Sequence, residues 1–331
     1  MARPVYGGWV TMTGHLSLTF DLPLYKIGKR NEKNKRKFGY NVEYQNITIE
    51  ELIKKDNLVI TAIDKNFYEY LDKFPDNTIL IIHDPTEVKN KEFVEKIKRF
   101  KIYTIRETVK NYLLDNFGIN STFKLHPFYE YQLEDINKNC SYKCLSISRI
   151  DFDKNTDIIL KANKLIEDEN KKIYIFGAEN RLYVHHKLKP LGLLEDFEKF
   201  WMKKFPKNLP LTDSNSKNLL NNCEYIIDMS IIKGDGGGTQ YTFLEAIYND
   251  CVLILHKDWV DKGITFKDKH NCYVVGETEY PDKEIANIIN NPNKKLNKKI
   301  LSNAKNILKD HIMKDYFNVQ PCLFIFCNIC G

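Results

Sequence analysis

The chain has 331 residues, enough to bury a large core and to form two domains. Its 43% hydrophobic and 12% aromatic content is that of a globular protein, and 50 basic against 44 acidic residues leave a net charge of +6, which permits nucleic-acid or phosphorylated ligands without demanding them. Eight cysteines at this length do not make a dense extracellular disulfide framework.

The amino-terminal stretch MARPVYGGWVTMTG reaches a Gly-Gly turn almost at once, with no room for a strand before it. No charged segment followed by an apolar run opens the chain, and no apolar run approaches the ~20 residues that cross a bilayer, so a soluble, cytoplasmic protein is expected. KIGKRNEKNKRK, residues 26–37, is a basic stretch that reads most simply as a solvated loop, with a nucleic-acid or acceptor contact as the functional alternative.

Beyond it, short apolar runs alternate with longer mixed segments. NLVITAI (57–63), TILIIHD (78–84) and KIYTIR (101–106) read as buried strands, being rich in isoleucine, valine and leucine and bounded by polar turns. NKEFVEKIKRF between them carries apolar residues at helical spacing. The alternation predicts parallel βαβ units.

The pattern pauses over residues 126–143 and restarts. KCLSISRI (143–150), KKIYIFGA, NCEYIIDMS and CVLILHK read as strands, NTDIILKANKLIEDE and QYTFLEAIYND as helices. The basic segment KEIANIINNPNKKLNKKILSNAKNILKDHIMKDYF is helical in period and broken once, at Pro292. The predicted organisation is an amino-terminal Rossmann-like domain over 1–135, a second over 136–300, and a carboxyl-terminal helix and tail over 301–331 able to return to the first domain. Two such halves facing one another give a cleft between the carboxyl ends of two sheets, where ligands bind in open α/β folds.

The tail PCLFIFCNICG is apolar and cysteine-rich. A trimmed reading frame would account for both chain ends. Cys140 and Cys144 lie four apart and Cys322, Cys327 and Cys330 cluster terminally, but a second pair at zinc-site spacing is missing. Reduced thiols and no metal are expected.

Three features at predicted strand ends carry chemistry. SISRIDFDKN sets Arg149 five residues before Lys154, and two such cations can meet a diphosphate, arginine by a planar fork and lysine as a point charge. KGDGGGTQYTFLEA puts Gly236, Gly237, Gly238 and Thr239 directly before a helix, where bare backbone and unpaired N–H groups favour a phosphate. Glu245 lies one to two turns into that helix, positioned to accept hydrogen bonds from ribose hydroxyls. Read singly, these are solvated charges, a surface turn and a helix-surface glutamate. Their order along the chain argues for a site.

Arg149, Lys154, the glycine loop, and Glu245 in TFLEA followed by CVLILHK together resemble the nucleotide-sugar half of retaining GT-B glycosyltransferases. The resemblance covers residues 143–260 well and the first half loosely. It implies that Arg149 and Lys154 hold the donor diphosphate and Glu245 the ribose. The superfamily's usual pair of glutamates is eight residues apart, and the first position here is Gly237. Phage-type DNA α-glucosyltransferases also lack that first glutamate and carry a tyrosine-threonine-any-leucine-glutamate segment, similar to Tyr241, Thr242, Phe243, Leu244 and Glu245.

In the first half, Gly7 and Gly8 resemble the superfamily's glycine loop near donor phosphates and acceptor. His83 and Asp84, ending a strand, resemble a histidine-aspartate pair that orients acceptor or sugar. The resemblance thus implies an enzyme that moves a hexose, glucose in the closest version, from a UDP-sugar to a hydroxyl of a glycan or a hydroxymethylated DNA base. It needs no cofactor and no metal. A nucleotide-sugar epimerase and a non-catalytic nucleotide-sugar-binding protein are the alternatives on the same scaffold.

Overall fold

The computed structural model describes residues 8–26, 44–62, 65–88, 90–131, 142–203, 218–232, 239–261, 265–312, 316–317 and 325–328. Two compact units emerge: residues 1–131 with 310–331, and residues 132–309. The boundary expected at 135 falls at 131, and the segment grouped with the first unit starts at 310 instead of 301.

The first unit is built on a seven-stranded sheet in the order β2-β1-β12-β3-β4-β5-β6. Its strands are β1 (Leu24–Lys26), β2 (Tyr44–Asn46), β3 (Leu58–Ala62), β4 (Ile79–Ile82), β5 (Lys101–Thr104), β6 (Thr122–Phe123) and β12 (Ile325–Asn328). Every pairing is parallel. Four helices accompany it: α1 (Gly8–Phe20), α2 (Ile49–Leu52), α3 (Lys91–Ile97) and α4 (Glu107–Phe117).

Local chemistry explains the boundaries. Thr48 and Glu51 form a reciprocal capping box at α2, and the Asn90 side chain accepts from Glu92 N–H and Phe93 N–H at α3. Gly118 ends α4 at φ 62°, where its N–H reaches the carbonyls of Leu113 and Leu114 and a side chain would be strained. All four residues of β4 are buried, as a parallel strand covered on both faces requires.

β12 lies inside this sheet, with Phe326 in register with Leu24 of β1 and Val59 of β3. The apolar carboxyl-terminal tail therefore supplies an interior strand of the first unit.

The second unit has a five-stranded parallel sheet in the order β11-β10-β9-β7-β8. Its strands are β7 (Cys144–Ile147), β8 (Ile173–Phe176), β9 (Tyr225–Asp228), β10 (Val252–His256) and β11 (Tyr273–Val275). The helices are α5 (Thr156–Leu165), α6 (Arg181–Tyr183), α7 (Leu194–Phe200), α8 (Tyr241–Tyr248), α9 (Asp258–Asp261), α10 (Pro281–Asn290) and α11 (Lys294–His311). Leu160, Ile173, Phe197, Ile227, Ile254, Ile285 and Ile300 lie in one continuous core. The expected break at Pro292 separates α10 from α11, with Asn293 capping α11 through Leu296 N–H at 3.0 Å.

Among the described residues no helix is long and apolar enough to cross a membrane.

Candidate functional site

In the second unit the loop after β7 carries both predicted cations. Arg149 is 60% exposed and reaches Asp151 at 3.3 Å and Asp153 at 3.7 Å. Lys154 is only 14% exposed, and its Nζ lies 3.3 Å from the same Asp153 carboxylate. Asp153 thus gathers the two cations, a role that sequence reading missed although both aspartates stand in RIDFDK.

This loop is stitched to its neighbour across the sheet. Asn155, at φ 47°, donates its side-chain amide to the Met229 carbonyl at 2.9 Å, and Ile231 N–H donates to the Asp153 carbonyl at 2.8 Å. Behind the loop, a Cβ at Gly177 would come within 1.7 Å of the Ser148 carbonyl oxygen, so only glycine lets the end of β8 approach so closely. The parallel register puts Arg149, Lys154 and the residues after Asp228 on one edge, the carboxyl edge.

From there the chain runs to Gly236, Gly237 and Gly238, which lie outside the described residues. It returns at Thr239, which is buried, before α8. Gln240, the residue before α8, makes no side-chain cap to the helix. Glu245 is 0% exposed, which replaces the helix-surface glutamate of the bland sequence reading by a carboxylate enclosed in the fold. α8 is held by Phe243, whose ring meets Trp259 and Phe266 edge-on at 4.9 and 5.5 Å. Asp258 accepts from Ile232 N–H, tying the segment after β9 to α9.

The carboxyl edge of the first unit is different in character. Gly7 lies outside the described residues, and Gly8, expected in a loop, is the first residue of α1. His83 follows β4, is 3% exposed, and donates from Nε2 to the Thr61 carbonyl of β3 at 2.8 Å. Burial foremost, aided by the Arg106 charge, holds its pKa down at about 4, so the ring is neutral at pH 7.

Asp84 caps the turn Pro85–Val88, accepting from Thr86 N–H at 2.7 Å and from the Thr86 hydroxyl. Glu87 escaped the sequence reading. Its Oε1 accepts from His83 N–H at 2.8 Å and Asp84 N–H at 3.0 Å, so one carboxyl fixes the backbone of both predicted residues. Burial above all, with Asp84 nearby, pushes that carboxyl up to about 8.

Three more histidines surround this edge. His15 on α1 accepts at Nδ1 from Tyr129 N–H at 2.8 Å, and His311 donates from Nδ1 to the His126 carbonyl at 2.6 Å. Burial holds the pKa of all three down, to about 3 at His15. A sequence signal existed for none of them, because they come from segments 15, 126 and 311.

Among the described residues no cluster of three or more His, Cys, Asp or Glu side chains is arranged to hold a metal. Cys140, Cys322 and Cys330 lie outside the described residues, and the Cys144 thiol is buried in β7.

No protein-family model matches the chain, and neither does any curated protein. Solved structures do match, and they define the fold as that of GT-B glycosyltransferases, with two Rossmann-like domains. An alpha-glucosyltransferase solved with UDP and a 13-mer DNA containing a central A:G mismatch has a TM-score of 0.62 at 13% identity, over 96% of this chain and 95% of that one. Anabaena HepE, solved with UDP and glucose, has a TM-score of 0.60 at 12% identity over 94% of each chain. A glycosyltransferase from Rickettsia africae gives 0.56 at 15% identity, over 93% of this chain and 90% of that one.

Proposed function

We propose that the protein is a retaining glycosyltransferase that moves a hexose, glucose by the sequence resemblance, from UDP-sugar to an acceptor hydroxyl. The observation that carries this reading is the convergence of Arg149 and Lys154 on Asp153 at the carboxyl edge of the second unit. Without ligand, the carboxylate holds the two cations near one point. A diphosphate carries more charge than Asp153 and takes both cations over, arginine by its fork and lysine as a point charge.

In the reaction the bond from the anomeric carbon to the diphosphate oxygen breaks and a bond from that carbon to the acceptor oxygen forms on the same face. The acceptor proton leaves with the departing phosphate oxygen, and UDP is released. Charge develops on the leaving diphosphate, and Arg149, Lys154 and the N–H groups entering α8 stabilise it without an obligatory metal. Gly236, Gly237, Gly238 and Thr239 let the backbone approach the phosphates. Glu245, enclosed in α8, accepts from the ribose hydroxyls.

His83 presents a neutral ring beside the transferred sugar or acceptor, and Asp84 orients it from the same turn. The acceptor is a glycan or a hydroxymethylated DNA base. The segment Tyr241–Glu245, now seen to open α8, is what favours the DNA version.

The test is UDP release from UDP-glucose by the purified protein with hydroxymethylated duplex DNA, unmodified DNA, a glycan panel or no acceptor. Release that depends on one acceptor class establishes the transferase and its acceptor. Interconversion of the sugar without any acceptor overturns it in favour of an epimerase, and UDP binding without turnover on any donor leaves only a binding protein.

A further inference from the structure

Helix α11 concentrates positive charge at the end where the helix dipole disfavours it. Over Lys294–His311 it holds Lys294, Lys295, Lys298, Lys299, Lys305 and Lys309 against one acid, Asp310. That is five of the six net positive charges of the whole chain. Lys294 and Lys295 stand in its first turn, where the helix dipole already places positive charge. The pairs Lys294–Lys298, Lys295–Lys299 and Lys305–Lys309 stand at the four-residue spacing that brings like charges together.

Several lysines elsewhere are answered by acids. Lys96 meets Glu92 and Asp72, Lys98 meets Glu95, and Lys161 meets Asp157. On α11, among the described residues, one lysine has an ion pair, Lys305 with Asp250 at 2.6 Å. A local rule broken without a compensating contact marks a surface kept for something other than stability.

The arrangement is also linear. At 100° per residue the six lysines fall within a single arc of less than half the helix circumference, and all six are exposed. They run for about 22 Å along the axis, at 1.5 Å per residue. The opposite face is committed to the core through Ile300, Ala304 and Leu308. No apolar face is left to enter a bilayer, as an interfacial helix requires.

α11 is fastened to the amino ends of the strands. Asn297 bonds the Tyr225 and Tyr273 hydroxyls, both at 2.7 Å, and these residues open β9 and β11. Arg149 and Lys154 follow the carboxyl end of β7 in the same parallel sheet, so the lysine ridge belongs to the other end of the unit.

We infer that α11 is a docking ridge for the phosphate backbone of a nucleic-acid duplex, separate from the donor site. A duplex presents a negative charge about every 1.7 Å of its axis, and a straight lysine row complements it without reading sequence. The inference does not rest on the transferase reading, because binding is measured with no sugar donor present.

The experiment is fluorescence anisotropy of a short, unmodified, labelled DNA duplex over a range of salt. It compares the wild type with the combined variant Lys294→Gln, Lys295→Gln, Lys298→Gln and Lys299→Gln. A control variant, Lys54→Gln, Lys91→Gln, Lys98→Gln and Lys267→Gln, removes the same charge from scattered exposed positions. The ridge variant is expected to weaken binding by roughly 10- to 100-fold at low salt and to flatten the log–log salt slope by about 2 to 3. The control stays near wild type, and the melting temperature of the ridge variant does not fall, since like-charge pairs have been removed.

Equal losses in both variants mean net charge alone and overturn the ridge. Undiminished DNA binding by the ridge variant overturns it too, as does absence of DNA binding by the wild type. Phosphatidylglycerol-containing vesicles are run alongside; loss of vesicle binding with DNA binding intact assigns α11 to a membrane surface and sinks the inference.

Discussion

The two units share a parallel α/β plan and use their carboxyl edges in opposite ways. In the second unit the edge is charged: Arg149 is 60% exposed and shares the Asp153 carboxylate with Lys154. In the first the corresponding edge is lined by buried, neutral histidines held by main-chain hydrogen bonds. An exposed cation keeps its charge ready for an anion, whereas a buried imidazole is fixed in direction and tautomer. Under the proposed transferase reading, the contrast assigns the charged donor to one unit and oriented groups to the other.

They differ in construction as well. The second sheet is made from one continuous stretch of chain, and the first takes β12 from the far terminus. The sharpest way to break the comparison is therefore deletion of residues 318–331. Loss of an interior strand strips hydrogen-bond partners from β1 and β3 together. The first unit is expected to lose its cooperative unfolding transition while the second keeps its own, as read by calorimetry and limited proteolysis. A single unchanged transition would show that β12 is dispensable.

Next in size is the charged edge. Arg149→Ala and Lys154→Ala should each lower kcat/KM for sugar transfer by roughly 10²- to 10³-fold, the usual loss when one preorganised donor to a developing anion is removed. Both variants should fold normally because the loop is held by Asn155 and Ile231, not by the cations. Wild-type kinetics in both would remove the diphosphate assignment.

Glu245→Gln is a smaller change. It keeps the shape of a fully buried side chain and removes its charge, so affinity for UDP should fall about tenfold, the order of one charge-assisted hydrogen bond. Titration calorimetry with UDP reads it directly. Unaltered affinity would detach Glu245 from the ribose.

The smallest effect sharpens the comparison through pH. Burial raises Glu87 from its ordinary 4.5 to about 8, so its contribution to stability is full below 4.5 and drains away as pH climbs toward 8. The histidines act in the other direction: lowered from 6.5 to about 4 at His83 and about 3 at His15, they contribute fully above 6.5 and lose that contribution as pH falls through this range. Above pH 6.5 the histidines are silent and Glu87 dominates. The melting temperature of the first unit should decline from pH 6.5 to 8 in the wild type and stay level in Glu87→Gln, whose amide oxygen still accepts from His83 and Asp84. Parallel pH profiles would show that Glu87 does not titrate there.

Much of this protein was legible in its residues. The runs NLVITAI, TILIIHD and KIYTIR became β3, β4 and β5, and KCLSISRI, KKIYIFGA, NCEYIIDMS and CVLILHK became β7 to β10, because a strand covered on both faces must be a continuous apolar run. Short strands were not legible: β1, β2, β6 and β11 have two or three residues each and too little pattern to separate from loop. The places of Arg149 and Lys154 after β7 and of Glu245 in α8 were legible because each follows or enters an element whose position the apolar pattern defines.

Composition and local pattern therefore determined the alternation of strands and helices, the two-unit organisation and the charged residues at strand ends, since each depends on neighbours within a few positions. Only the tertiary structure decided that Asp153 gathers two cations, that Glu87 holds the backbone of His83 and Asp84, that histidines from four distant segments share one edge, and that an apolar tail becomes an interior strand. The last two of these facts join residues up to hundreds of positions apart. No local propensity specifies them; they follow from burying apolar surface and pairing every backbone polar group at once.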